Sequence, residues 1–287
     1  MRPPARLSLI LLFSPFVIWL GLLVILPHIE MFILSLQEKV APRVYRVGWG
    51  NYAEFLGEPI YRNTLLRTAV MSVLVTFITL LVGFPVAYYI AKMARRKMRA
   101  ALFLFCLAPL WISDLVRAFG WMLLLRETGA LSGFLVWAGV VEQPVEFLYN
   151  DVTVVVGLVY TAMLFMVAPL VSVLNGMDDS LIEAGYNLGG NGLTVLHKII
   201  VPYAMPGIVA GSIVVFMLTA GSYLTPVILG GKNSTWFTEQ IYNQFITRFN
   251  WESGAAFGFV LLLFTSFTVW AGLRLSGQTL ANTVGQR

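Results

Sequence analysis

Residues 68–91 read TAVMSVLVTFITLLVGFPVAYYIA, and residues 92–99 that follow read KMARRKMR. The first string has 24 residues and no charge, and a helix rising ~1.5 Å per residue needs only ~20 apolar residues to cross ~30 Å of hydrocarbon. The second packs five Lys and Arg into eight residues, as a short turn on the cytoplasmic side of a bilayer does. Outward from this pair the pattern repeats. Uncharged runs long enough to span also occupy residues 7–26, 152–177, 203–231 and 253–273, and 100–125 is a sixth whose second half carries Asp114 and Arg117. Residues 130–141 are apolar but too short to span, and read as an interfacial or re-entrant piece. The whole chain of 287 residues agrees, being 58% hydrophobic and 11% charged, where a soluble domain carries ~25% charge. An ordinary soluble enzyme, a disordered chain and a coiled coil are excluded. The expected fold is an all-α membrane protein: one domain over 1–287, six transmembrane helices, and a loop at 178–202.

Topology follows from Lys and Arg. With the amino terminus inside, the inner segments 1–6, 92–99, 178–202 and 274–287 hold 10 in 53 residues, and the outer segments 37–67, 126–151 and 232–252 hold 8 in 78. Both ends are expected in the cytoplasm. The first run exceeds a signal-peptide core and Pro27-His28-Ile29-Glu30 offers no cleavage site, so it reads as a retained helix. The net charge of +5 reflects this topology, and nucleic acid is not an expected partner. Cys106 stands alone in an apolar run, and His28 and His197 fit no zinc motif, so no metal site is expected. Gly230-Gly231-Lys232-Asn233 fails as a phosphate-binding loop, because Pro226 replaces the first glycine and Asn233 the magnesium-binding hydroxyl.

The segment DDSLIEAGYNLGG at 178–190 carries the chemistry. Ser180 and Glu183 have capping-box spacing, so a helix is expected from about Ser180, with Asp178 and Asp179 at its positive end. Gly189, Gly190 and Gly192 interrupt it. A second short helix, about 193–200, is expected to end at Pro202. Leu181, Ile182, Ala184 and Leu188 give the pair an apolar face that nothing else in the chain is expected to cover.

Glu183-Ala184-Gly185, three residues, Gly189, nine residues, then Ile199-x-Val201-Pro202 resembles the EAA loop of ABC-importer permeases. Gly185 and Val201 depart from that pattern, where the family has alanine and leucine, and Gly185 is expected to weaken the helix. The resemblance runs over nearly the whole chain and narrows towards polyamine (spermidine/putrescine)-type permeases through Asn51-Tyr52-x-x-Phe55-Leu56, Pro85-x-Ala87-Tyr88-Tyr89, Pro206-Gly207-Ile208-x-Ala210-Gly211-Ser212 and Gly221-Ser222-Tyr223-x-Thr225-Pro226. Permeases for opines, amino-acid-like amines and phosphonates look similar. The resemblance implies a multi-pass subunit of a bacterial inner membrane, paired with a second permease subunit, on two cytoplasmic ATPase subunits, fed by an extracytoplasmic solute-binding protein. It implies an ATPase-coupling role for Glu183, Ala184, Gly185, Gly189, Ile199 and Pro202. ATP and magnesium belong to the ATPase subunits, so this chain needs no cofactor and no catalytic residue.

A charge at mid-bilayer costs ~2.5–3.5 kcal/mol, so Asp114 and Arg117 call for a partner or an aqueous path. At i and i+3 they pair with each other; that is a purely structural bridge, or Asp114 and Trp111 line the path of a cationic solute. Tyr160 and Tyr223 are further path candidates. The outer segments hold nine Asp and Glu, which suits a cationic ligand. A secondary transporter needs buried carboxylates, and by this reading only Asp114 lies inside a span. A membrane enzyme needs a clustered acid, base or nucleophile, which is missing.

Overall fold

The computed structural model describes residues 5–41, 44–232 and 234–277. Both chain termini and Asn233 lie outside the described residues. Helices long and apolar enough to cross a membrane are Leu12–Ser35, Pro59–Met93, Asp151–Asn175, Gly192–Ala220 and Trp251–Arg274. A sixth span is a bent pair, Arg96–Trp111 and Asp114–Trp137, meeting at 91°. The chain is an all-α multi-pass membrane protein. Its contacts divide into two units, Met1–Asn63 with Gln240–Leu263 and Thr64–Glu239 with Phe264–Arg287.

In the first unit the opening span does not stop at Leu26 but continues through Pro27 to Ser35. Proline lacks an N–H and its ring crowds the carbonyl four residues back. Here that carbonyl, of Leu23, lies in a widened turn, Gly21–Ile25, closed by an i to i+5 bond from Leu26 N to Gly21 O. The wider turn removes the clash. His28 and Glu30 therefore lie within a span, so Asp114 is not the sole acidic residue inside one. A two-stranded hairpin, Gln37–Ala41 with Val44–Val47, follows. Val44, Tyr45 and Val47 of the second strand suit a strand, and Glu38 pairs with Arg46 across the hairpin at 2.9 Å. The Glu38 carboxyl is held below its ordinary pKa by that guanidinium and by the Gly50 N–H.

Asn51 and Phe55, both in the resemblance strings, hold this unit together. The Asn51 amide donates to Ser35 O and Gln37 O at 2.9 and 2.8 Å, and its carbonyl accepts from Ser253 Oγ at 3.1 Å. Phe55 and Tyr61 meet the fully buried Phe257 edge-on.

The second unit is built on close helix approach. A Cβ on Gly211 would meet Met166 Sδ at 2.8 Å, and one on Gly207 would meet Pro169 O at 3.0 Å. This Gly-x-x-x-Gly stripe lets the fourth and fifth spans touch along their backbones, as small residues do in membrane helices. Met166, fully buried, also meets Gly83 of the second span. Asp151 ties the end remote from the basic turn: its Oδ1 accepts from Arg67 Nη2 at 2.5 Å and Ser234 Oγ at 2.6 Å.

Two expected spans differ. Residues 100–125 are not one straight helix, because Pro109 sits in a tight turn, Ala108–Trp111, and Ile112 and Ser113 are extended before Asp114 opens a new helix. The fifth span is not 203–231: it runs from Gly192 to Ala220, and a separate short helix, Leu224–Leu229, packs against Asp114–Leu125 and the fourth span.

Candidate functional site

The first candidate is the loop after the fourth span. Asp178 caps the helix Asp179–Asn187 by accepting from Ser180 N at 3.0 Å. The cap is thus Asp178, two residues before Ser180, because the aspartate carboxylate accepts from an N–H that the helix start leaves open. Those bonds to Ser180 lower the Asp178 pKa. At the other end Gly189 has φ +81°, with Gly189 N bonded to Tyr186 O and Gly190 N to Gly185 O at 2.9 and 3.0 Å. This left-handed cap satisfies carbonyls that the helix end leaves open.

The second arm does not end at Pro202. Asn191 caps it by accepting from Thr194 N at 2.8 Å, and the helix runs unbroken from Gly192 into the fifth span. A widened turn, Leu196–Ile200, again contains the carbonyl that the proline ring would crowd. Pro202 is exposed on this continuous helix. Gly185 is buried where a Cβ would meet Ile199 Cδ1 at 2.5 Å and Val195 Cγ2 at 3.2 Å. The departure from alanine is therefore a packing device rather than a local weakness.

The loop's apolar face is not left wholly uncovered. Ile182, Val195, Ile199 and Ile200 pack with Ala87, Ile90 and Ala91 of the second span, Leu174 of the fourth and Met177 just past its end. Leu181, Tyr186, Leu188 and Leu193 point outward and are exposed, Leu188 at 89%. Glu183 and Ala184 share that exposed surface. One face grips the spans and the other is open.

The second candidate is a cavity of about 430 Å³ lined by Asp114, Arg117, Thr161, Thr219, Ser222 and Tyr223, among others. Residues at the bend in the third span and at the break after Ala220 both line it. Asp114 and Arg117 form an ion pair. The Asp114 side chain is 61% exposed while that of Arg117 is 9% exposed. Arg117 Nε and Nη1 are buried without acceptors. Of the path residues expected from sequence, Asp114 and Tyr223 come together here. Tyr160 does not: it lines a separate apolar cavity of about 570 Å³ with Pro85, Phe105 and Cys106, and its ring stands edge-on to Trp121. Trp111 lines neither and is 79% exposed.

Sequence reasoning missed one residue at the loop. Lys92, there read only as part of the basic cluster, donates from Nζ to Met177 O and Asp179 Oδ1 at 2.5 and 2.6 Å. Its place as the first charge after an apolar run was the available signal.

Comparison with known proteins follows the same lines. The spermidine/putrescine transport system permease protein PotB of Escherichia coli (strain K12) is 32% identical over 249 residues, covering 85% of this chain and 89% of PotB. The inner membrane ABC transporter permease protein YdcU of Escherichia coli (strain K12) is 29% identical over 72% of this chain and 70% of its own. In fold, a chain of a bacterial ABC transporter involved in the import of the acidic polysaccharide alginate superposes with a TM-score of 0.73, at 16% identity, over 94% of each chain. Residues 55–276 match the model of the binding-protein-dependent transport system inner membrane component. The chain belongs to that family: it is a permease subunit of an ABC importer, whose ATP hydrolysis takes place on separate ATPase subunits.

Proposed function

We propose that this permease passes a small organic cation of the polyamine class, such as spermidine or putrescine, across a bacterial inner membrane. The observation that carries this reading is Asp114, whose largely exposed carboxylate faces a cavity with Thr161, Ser222 and Tyr223. One carboxylate oxygen engages Arg117, and the other is placed to accept from an ammonium group. The likeness to PotB supports the same class. In this reading the chain has both termini and the loop at 178–202 in the cytoplasm. It pairs with a second permease subunit on two ATPase subunits and takes its solute from an extracytoplasmic binding protein. Glu183 and the exposed apolar residues around it meet the ATPase, where a buried cleft rewards both the charge and the apolar area.

A second solute class has one observation in its favour. Arg117 lines the same cavity with two nitrogens lacking acceptors. A solute bearing both an ammonium and a carboxylate or phosphonate, as in amino-acid-like amines and opines, matches both charges.

The test is ATP-dependent uptake by vesicles carrying the assembled complex, with labelled putrescine, spermidine and lysine. The polyamine reading expects saturable putrescine or spermidine uptake, lowered at least about tenfold by Asp114→Asn, and loss of ATPase stimulation with Glu183→Ala. Uptake of lysine alone moves the assignment to the second class. Uptake of none of the three sinks the solute assignment and leaves the family intact.

A further inference from the structure

Lys92 departs from its neighbours in the basic turn. Arg95, Arg96 and Lys97 are exposed, whereas the Lys92 side chain is 8% exposed. A buried ammonium is costly unless its donors are used, and two of its three are. One meets the carbonyl of Met177, just past the end of the fourth span, and the other the carboxylate of Asp179, the first residue of the loop helix. The last turn of the second span, Tyr89–Met93, is widened and closed by Ala94 N to Tyr89 O at 2.8 Å. Lys92 lies in that widened turn and reaches the joint between the fourth span and the loop.

The apolar contacts across this joint include Ala87, Ile90 and Ala91 with Leu174, Met177 and Val195. Apolar contact is non-directional and allows one helix to slide along another. An ammonium between a carbonyl and a carboxylate is directional and fixes the register. We infer that Lys92 is a positioning residue for energy coupling: it locks the loop helix to the second span, so that a push on the loop moves that span instead of slipping over it. The inference rests on the reading that the exposed face of the loop meets the ATPase.

The test uses the full complex reconstituted in vesicles, and measures ATPase rate with and without the purified binding protein. Stimulation by the binding protein is read whichever solute is carried, and the part of it that passes through the second span crosses this joint. Lys92→Met is expected to keep basal hydrolysis and lower the stimulation factor at least about fivefold. Lys92→Arg, which keeps the charge and the donors, restores it. Asp179→Asn, which leaves the Met177 bond, lowers it by about two- to threefold. Unchanged stimulation in Lys92→Met overturns the inference. Where Lys92→Met does not assemble, unchanged stimulation in Asp179→Asn overturns it. Leu181→Asp, on the exposed face, tests the underlying reading separately: if it changes neither rate nor stimulation, the docking face is wrong, whereas if it uncouples and Lys92→Met does not, only the role of Lys92 falls.

Discussion

A side chain on Gly185 would run into Ile199: its Cβ would lie 2.5 Å from the Ile199 Cδ1 methyl. The two arms of the loop thus touch where one residue has no side chain and the other ends in a movable group. Gly185→Ala gains about 1 kcal/mol of helix propensity and displaces that methyl, so its stability is expected within about 1 kcal/mol of the parent. Gly185→Leu cannot be absorbed by one rotamer, and is expected to lose about 2–3 kcal/mol. Thermal unfolding of the complex in detergent orders the three.

Gly189 is a different case, because its φ of +81° strains an ordinary side chain whatever the space around it. Gly189→Ala is expected to cost about 1–2 kcal/mol, and Gly189→Asn less, since asparagine tolerates the left-handed region. Amide exchange of residues 185–190 reads the difference locally. Equal protection in all three proteins would show that the turn has another support.

The cap at Asp178 makes the loop sensitive to acid. Bonds to Ser180 hold this carboxyl below its ordinary value, so its contribution is complete above the unfolded pKa of about 4 and is lost as pH falls through the lower, folded one. Exchange protection at residues 180–182 is expected to be flat from neutrality to about pH 5 and to drop below about pH 4. Asp178→Asn keeps a capping oxygen and should remove that drop.

Arg67 and Asp151 give a test remote from the loop. Their side chains are 33% and 41% exposed, so a double-mutant cycle of Arg67→Met and Asp151→Asn is expected to return a coupling of about 1 kcal/mol rather than several. Ser234→Ala should raise it, because Ser234 Oγ competes with Arg67 for the same carboxylate oxygen.

Much of this fold is legible in the apolar runs, and the failures have local causes. The second and fourth spans could be read because their uncharged stretches coincide with helices that Met166, Gly83 and their neighbours bury. The first and fifth could not be bounded, because Pro27 and Pro202 look like stops until a widened turn accommodates each ring. The third was read straight although Ser113-Asp114 has the form of a helix start, a cue hidden inside a long apolar run. At the site, Asp114 and Tyr223 were recoverable as polar or aromatic exceptions within apolar segments. Tyr160 and Trp111 looked the same in sequence, yet Tyr160 lines the separate apolar cavity and Trp111 lines neither.

The bend after Trp111 also bears on how the chain is made in a cell. It leaves the Asp114 carboxylate 61% exposed within a bent span, paired with Arg117 through one oxygen only, and a charge at mid-bilayer costs about 2.5–3.5 kcal/mol where it is not offset. A newly inserted copy without companions carries that cost alone and displays a polar notch of the kind membrane quality-control proteases find. If the proposed second permease subunit covers the notch, the abundance of this subunit should follow that of its partner, rising when the two are synthesised together and falling when either is made by itself.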